Sequence, residues 1–340
     1  MPQADAVDYM YYPVHNIWLG VGWDTAPVGE QLQTLCAYFG LEAVTAAPPE
    51  CHVRLTFRTQ ACQISIPQHA CCVAQQHGLH VWQADTQLYV QDGACVVRLD
   101  PASSTGLGTL PAPQRQAPPA LRMDLLLYSV LLLLRYRGFY PEHAACVAND
   151  SVGCLLVGDS GSGKSTLTLS LVQHGWQYLA DDAILLRGCR DAVAAMPLRR
   201  DLCLAPAAIH AFPDTAAHWQ LCPLAGDAKR RLDVQALYPK QVRATCVPQL
   251  LLFPTIVSAP QSRLVPVGKA EALFRLIHHS ALVTVEPRMA RSHVEILTRL
   301  VNQTRRYALR AGRDLASEPG LITALLANIM PQLLQCTQKA

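Results

Sequence analysis

The sequence predicts an α/β fold for its second part, preceded by a smaller strand-rich portion. Three observations carry this expectation. An apolar run, CLLV at 154–157, leads into a glycine-rich turn and then into the amphipathic stretch STLTLSLVQH. Short alternating runs such as HVRLTFRT at 52–59 recur through the first hundred residues, divided by turn residues. Of the 340 residues 51% are apolar and 16% charged, which supplies a substantial core and argues against wholesale disorder.

The elements follow from the same patterns. In the first part, Leu32–Phe39 reads as a short helix, and strands are expected at 52–59, 79–82, 87–90 and 95–99, with Gly78 and Asp92-Gly93 as turns. The aromatics Tyr9, Tyr11, Tyr12, Trp18 and Trp23 read as core. His69, His77 and His80 lie close in sequence but lack a completing cysteine or carboxylate pattern, so they read as ordinary histidines and not as metal ligands. Residues 101–120 hold five prolines and almost no charge, which predicts a linker. The organisation expected is therefore 1–100 as a strand-rich N-terminal domain, 101–120 as a linker, and 121–340 as the α/β domain. Charge supports a division, since residues before 121 carry 4 basic and 9 acidic side chains and those after carry 24 and 16.

In the second part, Met123–Tyr136 predicts an apolar helix, ended near Gly138 and Pro141. Strands are expected at Ala144–Ala148 and Cys154–Val157, a helix over Lys164–His174, and strand segments at Tyr178–Leu179 and Ala183–Leu186. Further strands at Leu250–Phe253 and Arg306–Leu309 alternate with helices near 270–278, 291–301 and 321–334. The leucine-rich run at 125–134 is too short to span a bilayer, so no membrane association is expected. Thirteen cysteines without a CxxC pair, and a start without a basic segment feeding an apolar run, predict a reducing cytoplasmic setting. The net charge of +3 gives no case for a nucleic-acid partner.

The chemistry concentrates around residues 143–182. The segment GDSGSGKS, comprising Gly158, Asp159, Ser160, Gly161, Ser162, Gly163, Lys164 and Ser165, fits the phosphate-loop pattern, and Thr166 continues into the helix. Its glycines let the backbone curl so that successive N–H groups face a phosphate chain. Lys164 can reach the β- and γ-phosphates, and the Ser165 hydroxyl can enter a Mg2+ shell. Asp181 and Asp182 follow an apolar strand, 17 and 18 residues after that lysine. Adjacent side chains at a strand end diverge, so one carboxylate can serve the metal while the other faces an acceptor hydroxyl. His143, at the start of the strand pair that feeds the loop, can tune or relay a proton.

In order and spacing, HAACV at 143–147, GDSGSGKS at 158–165 and LADD at 179–182 resemble the catalytic domain of HPr kinase/phosphorylase. They look closest to its kinase-only relatives encoded with lasso-peptide and other modified-peptide genes. The resemblance covers residues 121–310. It implies a P-loop kinase core of the HPr kinase/phosphoenolpyruvate carboxykinase-like type that transfers phosphate from ATP, or GTP, with Mg2+, to a serine hydroxyl. It further implies that Gly158–Thr166 hold the nucleotide, that Asp181 is the base assisted by His143, that Ser165 serves the metal and Asp182 the metal or the histidine, and that residues 1–100 select the substrate. The glutamate- and glycine-containing signature tied to the family's reverse reaction is missing from MPLRRDLCLAP at 196–206, so phosphorylase activity is not expected. Lys229 and Arg230, in GDAKRRLD, are the leading cations for the transferring phosphoryl group, with Arg199 and Arg200 as an alternative. The acceptor expected is a serine on a ribosomally made precursor peptide. The alternatives are a small-molecule hydroxyl kinase and a non-catalytic nucleotide-binding module. A homo-oligomer is left open.

Overall fold

The computed structural model describes residues 7–59, 64–76, 78–110, 123–150, 152–222, 226–280 and 282–331. The chain divides into two compact units, 1–139 with 284–291, and 140–283 with 292–340.

The first unit is built on one eight-stranded sheet. Its strands are β1 (Asp8–Val14), β2 (Ile17–Trp23), β3 (Val53–Thr59), β4 (Cys71–Gln76), β5 (Leu79–Ala84), β6 (Gln87–Asp92), β7 (Cys95–Asp100) and β8 (Thr105–Leu110), in the order β1-β2-β3-β8-β7-β6-β5-β4. Helix α1 (Ala26–Tyr38) packs against β2, and α2 (Met123–Tyr136) packs against β3, β6 and β7. Helix α2 thus has the expected bounds but belongs with the first sheet. Of the aromatics, Tyr12 and Trp23 are buried. His69 sits 3.5 Å from Asp85, His80 stacks near Trp82, and His77 lies outside the described residues.

The expected linker is corrected at its first half. Strand β8 occupies 105–110 and pairs with both β3 and β7, while 111–122 lie outside the described residues. The prolines flank this strand, and TGLGTL between them alternates. Its glycines fit because a Cβ on Gly106 would stand 2.5 Å from Leu55, and one on Gly108 2.5 Å from Phe57. Glycine here makes room for neighbours across the ladder and does not break it.

The second unit centres on a six-stranded sheet. It is formed by β10 (Ala144–Ala148), β11 (Gly153–Val157), β12 (Gln177–Ala180), β18 (Pro248–Ile256), β19 (Arg263–Pro266) and β20 (Arg305–Ala311), in the order β12-β10-β11-β18-β20-β19. Strands β11, β18 and β20 are parallel. Two small sheets accompany it: β9 (Phe139–Glu142) with β13 (Ile184–Gly188) and β14 (Val193–Pro197), and β15 (Leu202–Leu204) with β16 (Trp219–Cys222) and β17 (Gly226–Leu232). The helices are α3 (Lys164–Gln173), α4 (Pro206–Ile209), α5 (Val234–Leu237), α6 (Lys269–His279), α7 (Pro287–Gln303), α8 (Arg313–Ser317) and α9 (Leu321–Ala327).

Continuous apolar strands require cover on both faces, and alternate residues supply it. Cys154, Leu156, Leu250 and Leu252 pack with Leu167, Leu171 and Val172 of α3. Leu155, Val157, Leu251 and Phe253 face the other way, onto Leu276 of α6 and Leu297 and Leu300 of α7. The result is a mixed α/β layer structure whose three parallel strands end on the same side as the glycine-rich loop.

Candidate functional site

The loop Gly158–Gly163 joins the buried strand β11 to α3. Gly161 and Gly163 have φ of 83° and 95°, values that L side chains rarely adopt, so both positions require glycine. Gly163 caps α3 in this left-handed conformation, and its carbonyl accepts from Leu167 N–H at 2.9 Å. The first turn of α3 therefore begins at Lys164. Its ammonium lies back along the loop, donating to the carbonyls of Gly158 at 2.6 Å and Asp159 at 3.0 Å. Burial pulls the Lys164 ammonium below its usual range, against the opposing pull of Asp182 and Asp181.

The two aspartates are held in opposite surroundings. Asp181 is 1% exposed, accepts from the Ser165 hydroxyl at 3.0 Å and from Cys203 N–H at 3.3 Å. Burial, then the neighbouring Asp182 carboxylate, push its carboxyl up to about 7. Asp182 has a φ of 68°, a left-handed turn that aspartate tolerates better than most residues. That turn, closed by Ala183 N–H donating to Asp181 O at 2.9 Å, sends the second side chain toward solvent at 24% exposure.

Around Asp182 stand two basic groups from distant parts of the sequence. His143, between β9 and β10, has Nδ1 at 2.9 Å from the Asp182 carbonyl and Nε2 at 4.0 Å from its Oδ1. A carbonyl only accepts, so Nδ1 carries the proton and the neutral ring turns its Nε2 lone pair toward the carboxylate. Burial lowers the imidazole's pKa, against the Asp182 carboxylate, which favours the charged form. Lys229 Nζ lies 3.7 Å from Asp182 Oδ2.

Lys229 does not lie in the polar loop that its sequence suggests. It belongs to β17, whose charged run KRRL offers no apolar alternation to betray a strand. Neighbouring side chains on a strand point to opposite faces, which separates Lys229 from Arg230. Arg230 Nη1 turns to the Lys229 carbonyl at 3.4 Å, and Arg231 pairs with Asp201 at 2.9 Å. The alternative cation Arg199 donates to Cys203 Sγ at 2.7 Å, behind the residue whose amide holds Asp181. Sequence reasoning missed Cys203, which acts through its backbone and so leaves no side-chain signature. It also missed His279, whose Nδ1 stands 3.9 Å from Asp159.

Ser165 and Asp181 offer a hydroxyl and a carboxylate oxygen, hard donors that suit Mg2+. That ion takes most of its shell from phosphates and water, so one or two protein ligands suffice. Among the described residues no group of three or more His, Cys, Asp or Glu is placed to hold a metal by itself.

Strand, glycine-rich loop, helix and following acid are set in a mixed α/β fold. Two HPr kinase/phosphorylases, from Chlorobium chlorochromatii and Chlorobium phaeobacteroides, are 38% and 37% identical to this chain over 64 and 62 residues. These matches span 19% and 18% of this chain and the same shares of the relatives, so the relationship is distant and covers about a fifth of their length. No family model matches the chain. The HPr(Ser) kinase/phosphatase from Coxiella burnetii aligns with a TM-score of 0.31 and 17% identity, over 58% of this chain and 95% of that one. No described helix is long and apolar enough to cross a membrane.

Proposed function

We propose that this protein is a nucleotide- and Mg2+-dependent kinase that phosphorylates a hydroxyl, with a serine on a precursor peptide as the acceptor. The observation that carries the phosphoryl-transfer reading is the division of the aspartates, one buried on Ser165 and one facing out between His143 and Lys229. Distant homology to HPr kinase/phosphorylases supports the same chemistry. The peptide acceptor rests only on the resemblance to modified-peptide kinases.

The geometry favours exchanging the roles first assigned to the two acids. Asp181, bonded to Ser165 and sealed from solvent, is the metal-side carboxylate. Asp182 is the acceptor-side base. Bound Mg2+ would neutralise phosphate charge as the bond to the leaving diphosphate lengthens. The acceptor oxygen attacks the γ-phosphorus, its proton passes to Asp182, and the bond to the β-phosphate oxygen breaks. The Nε2 lone pair of His143 can share that proton, while Lys164 and Lys229 offset the charge on the transferring group.

Intact-mass spectrometry on candidate peptides, incubated with protein, ATP and Mg2+, tests this. A gain of one phosphate with the native protein, lost in Asp182→Asn, is the expected result. If no peptide gains phosphate while ATP turns over with small hydroxyl compounds, the acceptor assignment fails and the small-molecule reading replaces it.

A further inference from the structure

The open face of the first unit's sheet carries a concavity of about 400 Å³ that the proposed chemistry leaves unused. Alternation along the strands separates this face from the core. Val53, Leu55 and Phe57 of β3 and Val97 and Leu99 of β7 are buried, which sends Arg54, Thr56, Arg58, Arg98 and Asp100 to the other side. Strand β8 runs between them, pairing Leu107 with Thr56 and with Arg98. On one flank the Tyr9 hydroxyl stands 2.6 Å from Thr56 Oγ1, and its ring lies so low over β2 that a Cβ on Gly22 would be 2.6 Å from it. On the other flank Ile64, Ile66 and Ala70 pack on Tyr89 and Val96 of the same face.

Charge is concentrated in this hollow. Residues 1–110 hold three basic side chains against nine acidic ones, and all three, Arg54, Arg58 and Arg98, lie on this face. The Arg54 guanidinium sits 5.7 Å from the centre of the Tyr9 ring and helps to hold it. Arg58 and Arg98 line the concavity, and among the described residues neither has an ion-pair or hydrogen-bond partner. Asp100, the acid in the wall, is committed to its own turn, accepting from Ala102 N–H at 3.1 Å and Ser103 Oγ at 2.8 Å.

From this arrangement we infer that the open face of the first unit binds an acidic segment of a peptide, with a glutamate or aspartate carboxylate held by Arg58 and Arg98. The inference rests on the peptide-acceptor reading above and names what the first unit recognises in that acceptor. Guanidinium forks match a carboxylate bidentately. Leu107 gives apolar support to the methylenes of a glutamate, and the hydroxyls of Tyr9, Thr56 and Thr105 suit peptide N–H and C=O groups. A long polyanion fits less well. Three basic and nine acidic side chains leave residues 1–110 at a net −6, so phosphates running beyond the hollow meet repulsion while a local carboxylate does not.

Phage displaying random octapeptides, captured on the immobilised full chain and sequenced, test this. The native protein is expected to enrich aspartate and glutamate over asparagine and glutamine about tenfold. Arg98→Gln, at an exposed position where substitution leaves folding undisturbed, and Arg58→Gln should each bring that ratio to within about twofold of unity. Equal enrichment by the native protein and both variants would mean that the acids bind the arginine-rich second unit, and the assignment fails; no enrichment by the native protein also overturns it. If labelled oligothymidylate binds and loses affinity in both variants while acidic peptides do not bind, the face is a nucleic-acid site and the peptide assignment is wrong. The mass assay above separates the two readings. Peptides that gain phosphate without any acidic enrichment remove the docking site and leave the acceptor reading intact. Arginine-dependent enrichment, with ATP turned over only on small hydroxyl compounds, keeps the docking site and removes the acceptor reading.

Discussion

Replacing Asp181 by asparagine should stabilise the metal-free protein above neutral pH. The buried carboxyl ionises near 7 in the folded chain, against an ordinary value of 3.8. Between those values the folded state holds a proton that the unfolded state has released. The folded state therefore binds more protons, and stability falls as pH rises through this window, levelling off above it. Integrated from about pH 5 to about pH 8, this one group removes about 2–3 kcal/mol of unfolding free energy. Asparagine imitates the protonated acid: its oxygen can accept from Cys203 N–H while its amide donates to Ser165 Oγ, so both contacts survive. Urea unfolding in chelator should show the variant's advantage over the native protein growing by about 2–3 kcal/mol between about pH 5 and about pH 8. Adding Mg2+ at the higher pH should stabilise the native protein and not the variant, because only the ionised acid can serve the cation. A variant less stable at both pH values by a constant amount would refute the argument, since it would mean that Asp181 is ionised and well satisfied in the fold.

Three further outcomes are expected. Asp182→Asn should lower kcat by about 10²–10⁴ with nucleotide affinity retained, as steady-state kinetics and titration would show, because it removes a proton acceptor and leaves the phosphate cradle intact. Gly163→Ala should cost roughly 1–2 kcal/mol in denaturant unfolding and weaken nucleotide binding; no atom obstructs the added methyl, so the cost arises from φ of 95° alone. Gly106→Val should destabilise by roughly 1–3 kcal/mol in thermal or urea unfolding, because even its Cβ meets Leu55 and Leu99 at 2.5 and 2.7 Å.

Elements whose local pattern agrees with their tertiary setting were legible in the sequence. Strand β10 and helix α2 have the bounds that the residues suggest, since every residue of AACVA is buried and the leucines of 125–134 demand a buried helix. The glycine-rich loop at 158–163 was legible for a different reason: Gly161 and Gly163 are needed there by backbone conformation, which sequence records directly. Strands β8 and β17 were not legible. In β8 the glycines that signal a break are accommodations to Leu55 and Phe57 across the ladder. In β17 the residues are charged because their partners, Asp182 and Asp201, are supplied by remote segments. The residues also brought Asp181, Asp182 and His143 into one hypothesis but left the order of the two acids to the family resemblance, because that order depends on burial and on the sign of one φ angle.

That φ angle is the step from a pair of like residues to two different surroundings. An extended chain after β12 would place successive carboxylates on opposite faces of the strand, with nothing to decide which met the metal. The left-handed turn at Asp182 instead fixes Asp181 inward, against the hydroxyl that follows Lys164, and lifts Asp182 out of the sheet into reach of His143 and Lys229. Side-chain rotation does not exchange the two surroundings, because Asp181 is enclosed while the Asp182 side chain is half-buried at 24% exposure. On the reading proposed above, two carboxylates in adjacent positions would become a buried metal ligand and a partly solvated base, the separation that phosphoryl transfer to a hydroxyl requires.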